Sequence, residues 1–433
     1  MLISWAILIS LQKLNREAYS AMHKLDHEDS VPTVSGNVCA VLVLPCPFLE
    51  LSAIDWYWRK ICGVPLLVRN IINLQRAGLD SLFIYDNVDG AELYKRLCEE
   101  KRISIKLKWI TDVSEVIKSA ENNPVLVVNG NALYTRQEIE VGINSMVSNS
   151  ETTLQYFERE TIEETLNQIT LGNEIPLTQP VGGQESRTAF LPGEKDRRLR
   201  QPQDFSAQHE HLLKGSGLSN DSFMDRMVTR FFSRQFTRIF LQTPLSPNMI
   251  TLLSLVIGLI SAAYFFQGTY ENSIMGAGLL LLSAWIDCTD GEIARLKFME
   301  SKIGGKLDIL CDNLVHFAVF FAIGMGLYQF TGQSIYKILG ALAVLGSLIS
   351  FLFMSSTIID KKEKASSNVS GAKNKNNLSD KLANRDFIYF LFLMALIGRM
   401  DVFICVTAIG SNLFAGYLVY SRFLVTSADQ LKV

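Results

Sequence analysis

Net charge is the first thing this chain lacks. Its 41 lysines and arginines are matched by 43 aspartates and glutamates, a formal charge of −2. No basic field is available to hold a nucleic acid, and nucleic-acid partners are excluded on that ground. A Cys-x-x-Cys pair is missing too. The seven cysteines, Cys39, Cys46, Cys62, Cys98, Cys288, Cys311 and Cys405, are scattered. That pattern excludes a disulfide framework and a zinc site and suits a reducing compartment. Met1–Leu11 is apolar but has no basic n-region and no small-residue cleavage site. It does not read as a signal peptide, and residues 1–36 read as a tail.

What the chain does have is unevenly spread. The first half is of ordinary mixed composition, and long apolar runs crowd the second. Between two of those runs stand four carboxylates, Asp287, Asp290, Asp308 and Asp312. Acids at membrane depth are costly and mark functional sites by default. The first two are three residues apart and the last two are four apart, so on helices each pair shares a face. A turn near Ser301–Gly305 folds the two helices back and gathers all four. Such a cluster needs a cation, and oxygen-only ligands favour a hard divalent ion, magnesium or manganese, whose remaining positions suit substrate phosphates. The competing interpretation is a buried acid network balanced by Arg295 and Lys306, which leaves charge uncompensated.

The full pattern is Asp287-x2-Asp290-Gly291-x2-Ala294-Arg295-x8-Gly304-x3-Asp308-x3-Asp312. It resembles the signature of the CDP-alcohol phosphatidyltransferases at every defined position, and the resemblance covers about Phe223 to Phe423. It implies a metal-dependent enzyme of phospholipid or phosphodiester biosynthesis. In that chemistry an alcohol hydroxyl displaces CMP from a CDP-linked donor. The resemblance implies Asp287, Asp290, Asp308 and Asp312 as ligands of magnesium or manganese, two ions in all, with Asp312 also the catalytic base. It implies donor contacts from Gly291, Ala294, Arg295, Ser301 and Gly304. Leu245–Thr251 resembles a second nucleotide-contacting segment through Asn248 and Thr251, although Ser246, Pro247 and Asn248 also suit simple helix capping. Arg385 and Arg399 are candidates for a phosphorylated acceptor, and Arg399 equally suits an interfacial anchor. His316, one turn past Asp312, is a packed histidine or a wall of the site. The partners implied are a CDP-linked donor, an alcohol or phosphorylated polyol, membrane lipid and, by resemblance, a second copy of the chain.

Residues 37–160 read as an α/β domain. Strands are expected at Val38–Leu44, Leu82–Tyr85 and Pro124–Asn129, and a helix over Pro65–Ala77 ends at Gly78. Alternation of strands and helices implies a parallel sheet. Gly63–Leu67 with Asn73–Gly78, and Val127–Asn131, resemble the sugar-phosphate nucleotidyltransferases, a Rossmann-like fold. Two departures matter. The family's glycine-rich phosphate loop is replaced by Leu44-Pro45-Cys46-Pro47-Phe48-Leu49-Glu50, where prolines remove backbone donors. The metal-binding Asp is replaced by Asn131. The expectation is a fold without the chemistry. The pairing of the two parts resembles inositol-phosphate cytidylyltransferase/phosphodiester synthase fusions and makes inositol phosphate a candidate acceptor. Alternatives are a bifunctional enzyme whose first domain makes the CDP-alcohol, or a transporter with an acidic cation site.

Residues 161–218 read as a linker. Residues 219–242 read as an amphipathic juxtamembrane helix, with Arg226, Arg230, Arg234 and Arg238 on one face and Phe223, Met227, Phe231, Phe232 and Phe236 as apolar surface. A plain solvated basic face gives the same pattern. Residues 243–425 read as an all-α bundle of six transmembrane helices, followed by a tail over 426–433. The spans are expected at Met249–Phe266, Ile274–Leu296, Ile303–Phe330, Ile335–Ile359, Asp386–Gly398 and Val402–Phe423. Basic residues lie before the first span and in Asp360–Arg385, and none lies in Gln267–Asn272 or Thr331–Ser334. The positive-inside rule places the α/β domain and the acids on the cytosolic side of an integral membrane protein.

Overall fold

The structure is a computed structural model. It describes residues 38–430 except 46–50, 87–89, 121–122, 149–153, 158–160, 171–187, 217–224 and 366–385. The proposed tail 1–36, most of the Leu44–Glu50 loop, and Arg385 lie outside the described residues.

Cys39–Val43 offers five consecutive apolar side chains, all buried, which suits a strand covered on both faces. It forms β1 and pairs in parallel with β4 (Ser81–Tyr85) and β6 (Val125–Asn129). The remaining strands of the sheet are β5 (Lys106–Ile110), β7 (Gln155–Phe157) and β8 (Thr188–Leu191). The order is β5-β4-β1-β6-β8-β7, parallel throughout except for the β7–β8 pair. Parallel neighbours need crossovers, and five helices alternate with the strands. They are α2 (Leu66–Arg76), α3 (Ala91–Glu99), α4 (Ser114–Ala120), α5 (Arg136–Ser148) and α6 (Ile162–Thr170). Helix α2 ends at Gly78, whose φ of +93° needs glycine. A short α1 (Ala53–Tyr57) and the two-stranded hairpin of β2 (Lys60–Ile61) and β3 (Val64–Pro65) precede α2. The stretch expected to be a linker is not one. It supplies α6, strand β8 in the sheet and helix α7 (Pro202–Lys214).

Two compact units result. The first comprises the described residues of Met1–Cys46 and Asn70–Asp196, and carries the sheet. The second joins Pro47–Arg69 to Arg197–Val433.

In the second unit a π-helical turn, Asp225–Thr229, leads into α8 (Arg230–Leu241). Then come α9 (Pro247–Phe265), α10 (Tyr270–Lys297), α11 (Lys302–Thr331), α12 (Ile335–Ala365), α13 (Asp386–Ile397) and α14 (Met400–Gln430). Polar caps set the starts: the hydroxyls of Ser246, Thr269 and Ser301 accept from Met249, Asn272 and Gly304 amides. Among the described residues five helices are long and apolar enough to cross a membrane: α9, α10, α11, Ile335–Phe353 of α12 and Met400–Tyr420 of α14. The expected fifth span, α13, has 12 residues. At 1.5 Å per residue it is about 18 Å long against a hydrocarbon core of about 30 Å.

The basic face expected before the first span is rearranged. Arg230, Ser233 and Thr237 are the buried residues of α8, while Met227, Phe231 and Ile239 are exposed. The helix turns its polar side inward because a carboxylate waits there.

Candidate active site

Helices α9, α10 and α11 carry the site. Their close approach needs small residues: a Cβ on Gly258 would stand 2.6 Å from Val315 and 3.2 Å from Ser283 Oγ. Asp287 and Asp290 lie on α10, and Asp308 and Asp312 on α11. The turn between them is made by Phe298, left-handed at φ +56°, and by the Ser301 cap. That turn brings Asp287, Asp308 and Asp312 together, with one carboxylate oxygen of each within 4.8 Å of the others. Asp287 is buried and the other two are half-buried. Three carboxylates at that separation fit a hard divalent cation.

Asp290 stands beside this group and outside it. It is buried, and it accepts a short hydrogen bond from Thr251 Oγ1 on α9. One turn further, Ser254 Oγ lies 3.1 Å from Asp287 Oδ1. Ser254 was not anticipated. The signal was present in Asn248-x2-Thr251-x2-Ser254, a spacing that puts three polar side chains on one face of α9.

Around the acids, Asn248, Ser301 and Gly304 meet. A Cβ on Gly304 would stand 2.9 Å from Asn248 Oδ1 and 2.8 Å from Ser301 Oγ, so only glycine keeps this corner open. Arg295 folds back along α10: its Nη1 would be 3.2 Å from a Cβ on Gly291. Its Nη2 donates to Ser216 O at 2.9 Å. Ala294 is half-buried on the same helix, and Lys306 is exposed. A cavity of about 20 Å³ behind the acids is bounded by Ser254, Ser283, Cys311, Asp312 and His316. His316 is thus both a wall of the site and packed, edge-on to Phe387 at 5.0 Å.

Glu292, inside the motif, points away from this cluster. It is fully buried and takes hydrogen bonds from Arg230 Nη1 at 2.6 Å, Ser233 Oγ at 2.8 Å and Thr237 Oγ1 at 2.6 Å. Arg230 and Thr237 therefore serve to lock α8 onto α10. Arg238, expected on the same basic face, pairs with Glu210.

Arg399 is remote from the acids. It pairs with Asp401 at the α13–α14 junction. That end of α13 meets the start of α10, where Tyr270 donates to Leu396 O. Seventeen residues of helix separate Tyr270 from Asp287, about 26 Å. An acceptor role for Arg399 is overturned by that distance.

Residues 244–426 match one family model. It is CDP-alcohol phosphatidyltransferase. Among curated relatives, the "Bifunctional IPC transferase and DIPP synthase" of Archaeoglobus fulgidus is 34% identical over 178 residues, 40% of this chain and 34% of the relative. The protein of that description from Aquifex aeolicus is 32% identical over 130 residues, 29% of this chain and 28% of the relative. The matches thus span about a third of the length of these relatives. The crystal structure of Mycobacterium tuberculosis phosphatidylinositol phosphate synthase with CDP-DAG bound is 17% identical at a TM-score of 0.34, covering 44% of this chain and 92% of that one. A score that low carries no weight for function.

Proposed function

We propose that this protein is an integral-membrane CDP-alcohol phosphotransferase that transfers the phosphoryl part of a CDP-linked donor to an alcohol and releases CMP. One observation carries the reading. Three acids of the signature, drawn from two helices, meet with oxygens within 4.8 Å, in a region that matches the family model.

On this reading Asp287, Asp308 and Asp312, with Asp290 beside them, hold magnesium or manganese, two ions in all. A metal held there would supply neutralisation of charge on the donor's phosphoryl oxygens and would make CMP a better leaving group. Asp312 takes the proton of the attacking hydroxyl. It is half-buried and borders a small cavity of about the size of one water. Thr251 orients Asp290 and Ser254 orients Asp287. Asn248, Gly291, Ala294, Arg295, Ser301 and Gly304 receive the donor, the glycines admitting it close to backbone and Arg295 meeting its negative charge.

The acceptor class proposed is a phosphorylated polyol. Relatives named "Archaetidylinositol phosphate synthase" and the bifunctional synthases favour inositol phosphate. Arg385 is kept as an acceptor contact. We place the acids and the α/β domain on the cytosolic face from the distribution of basic residues, and count α13 as a sixth, shortened crossing. A homodimer is part of the same proposal. The α/β domain is proposed to be a nucleotidyltransferase-type fold that has lost its chemistry. In place of the expected metal Asp stands Asn131, buried in a loop that Asn70 and Asn73 hold through the Gly130, Ala132 and Tyr134 carbonyls.

The test is CMP release by the purified chain from a panel of CDP-linked lipids and alcohols, with inositol phosphate, glycerol phosphate and free alcohols as acceptors. Metal-dependent CMP release with one pair is the expected result. No release with any pair, from protein whose folding is verified, overturns the reading.

A further inference from the structure

The C-terminal end of α10 is held by a residue 227 positions earlier in the sequence. Arg69 is 4% exposed. Its Nη2 donates at 2.8 Å to Leu296 O, in the last turn of α10, and at 2.8 Å to Ile61 O in the β2–β3 hairpin. Its guanidinium lies over the Phe298 ring, 5.0 Å from the centroid. Beside it, Gly63 at φ +78° comes so close to α10 that a Cβ there would meet Lys297 Cε at 3.0 Å. All these residues belong to the second compact unit.

The last carbonyls of a helix have no partner within it, and a cation there is favoured by the helix dipole. A buried guanidinium with two acceptors and an aromatic face fixes such an end more firmly than a solvated lysine can, because its planar fork is pre-organised. The turn it fixes is the one that bears Ala294 and Arg295, immediately before Leu296, with Gly291 one turn further back. Fraying of this turn frees Arg295 to leave its place over Gly291 and moves the start of the Ser301 turn that leads to Asp308. The three carboxylates lie farther along both helices, and Asp287 among them is held by Ser254 of α9.

We propose that Arg69 is a positioning residue for the phosphotransfer site, setting donor affinity through the last turn of α10 while leaving the chemical step largely alone. This rests on the functional reading above. It gives Pro47–Arg69, which the sequence assigns to the α/β domain, a part in the membrane site.

The experiment uses the full chain with Arg69→Ala and Arg69→Lys. Initial rates of CMP release are measured against donor concentration, with the melting temperature of each variant recorded. Arg69→Ala should raise KM for the donor at least about tenfold, the lower end expected for loss of a charge-assisted hydrogen bond, with kcat within about twofold. Arg69→Lys, which keeps the charge but not the fork, should fall between it and the parent. A lowered melting temperature with KM unchanged in both variants means a merely structural role and overturns the inference. If Arg69→Ala does not fold, Arg69→Lys decides alone, and an unchanged KM overturns the inference. Absence of CMP release from the parent chain overturns the functional reading and this inference with it. Normal release there, with unchanged KM in the variants, overturns this inference alone.

Discussion

At the residue scale the acids divide by neighbour. Asp308 and Asp312 both join Asp287, but Asp312 also borders the cavity beside His316. Replacing Asp308 by Asn should weaken metal and hence donor binding, because a charged oxygen ligand is lost. Replacing Asp312 by Asn should slow turnover at least about a hundredfold while donor still binds in a metal-dependent way, because an amide cannot accept the proton. Calorimetry of donor binding beside CMP release separates the two, and near-normal turnover in Asp312→Asn removes it as the base. Glu292 is a different kind of acid. Its three donors come from α8, and Arg230 itself is nearly buried. Removing one partner of a buried pair strands the other, so Glu292→Gln should cost about 3–5 kcal/mol of stability. Adding Arg230→Met should recover part of that loss, and denaturation of the three variants in detergent measures it. A single-variant loss below about 0.5 kcal/mol, the range of ordinary surface changes, would show that the network does not hold α8. The gathering of Asp287, Asp308 and Asp312 was legible because their spacing is local, whereas Asp290, expected with them, stands outside the group. The Glu292–Arg230 pair was not, since its partners lie 62 residues apart and nothing in either helix alone marks them.

At the element scale, helix starts were readable wherever a capping residue sits before an apolar run. Ser246-Pro247 and Ser301 are such places, and both helices begin there. Other features depended on what lies across from them. Strand β8 is four residues of Thr-Ala-Phe-Leu amid polar sequence, and it is fully buried only because β6 and β7 flank it. Helix α8 carries arginines every four residues, yet the inward face is chosen by Glu292. Helix α7 gives a pH-dependent contact that no periodicity announces. Its His209 accepts from the Cys62 amide at 3.2 Å and lies near Glu210, Arg238 and Arg69. Desolvation lowers its pKa below the ordinary 6.5; Glu210 acts the other way, and Arg238 and Arg69 add to the lowering. Folded protein therefore holds the imidazole neutral where the unfolded chain already binds a proton. Stability from this contact is complete above 6.5, falls as the pH drops below it, and levels off below the folded pKa. His209→Asn, which keeps an acceptor without titrating, should flatten the dependence of melting temperature between about pH 7 and pH 5. Identical slopes for parent and variant would exclude His209 as its source.

At the scale of the whole molecule, the sequence divides simply and the structure does not. Composition separates a mixed first half from an apolar second half, and this contrast predicted an α/β part and a helical membrane part. It could not show that Pro47–Arg69 belongs to the unit of the membrane helices, because the compact units are discontinuous in sequence. That arrangement governs how the loss of chemistry in the α/β part must be tested. A fragment ending near residue 160 would lack β8, which pairs with both β6 and β7. Such a fragment leaves strand edges open, and its inactivity would mean nothing. The full chain avoids this. Incubated with CTP and any polyol phosphate it should release no pyrophosphate, because Pro45 and Pro47 stand where a phosphate loop needs amide donors and Asn131 where a metal needs charge. The same preparation, supplied with a ready-made CDP-linked donor, should release CMP. Chelation should abolish that release, and magnesium or manganese should restore it, since the clustered acids need a divalent cation to share one site. Each half of the experiment controls the other. CMP release without pyrophosphate release shows folded, active protein with a silent α/β part. Pyrophosphate from CTP makes the chain bifunctional, and CMP release that persists after metal removal, verified by elemental analysis, removes the acids from the mechanism.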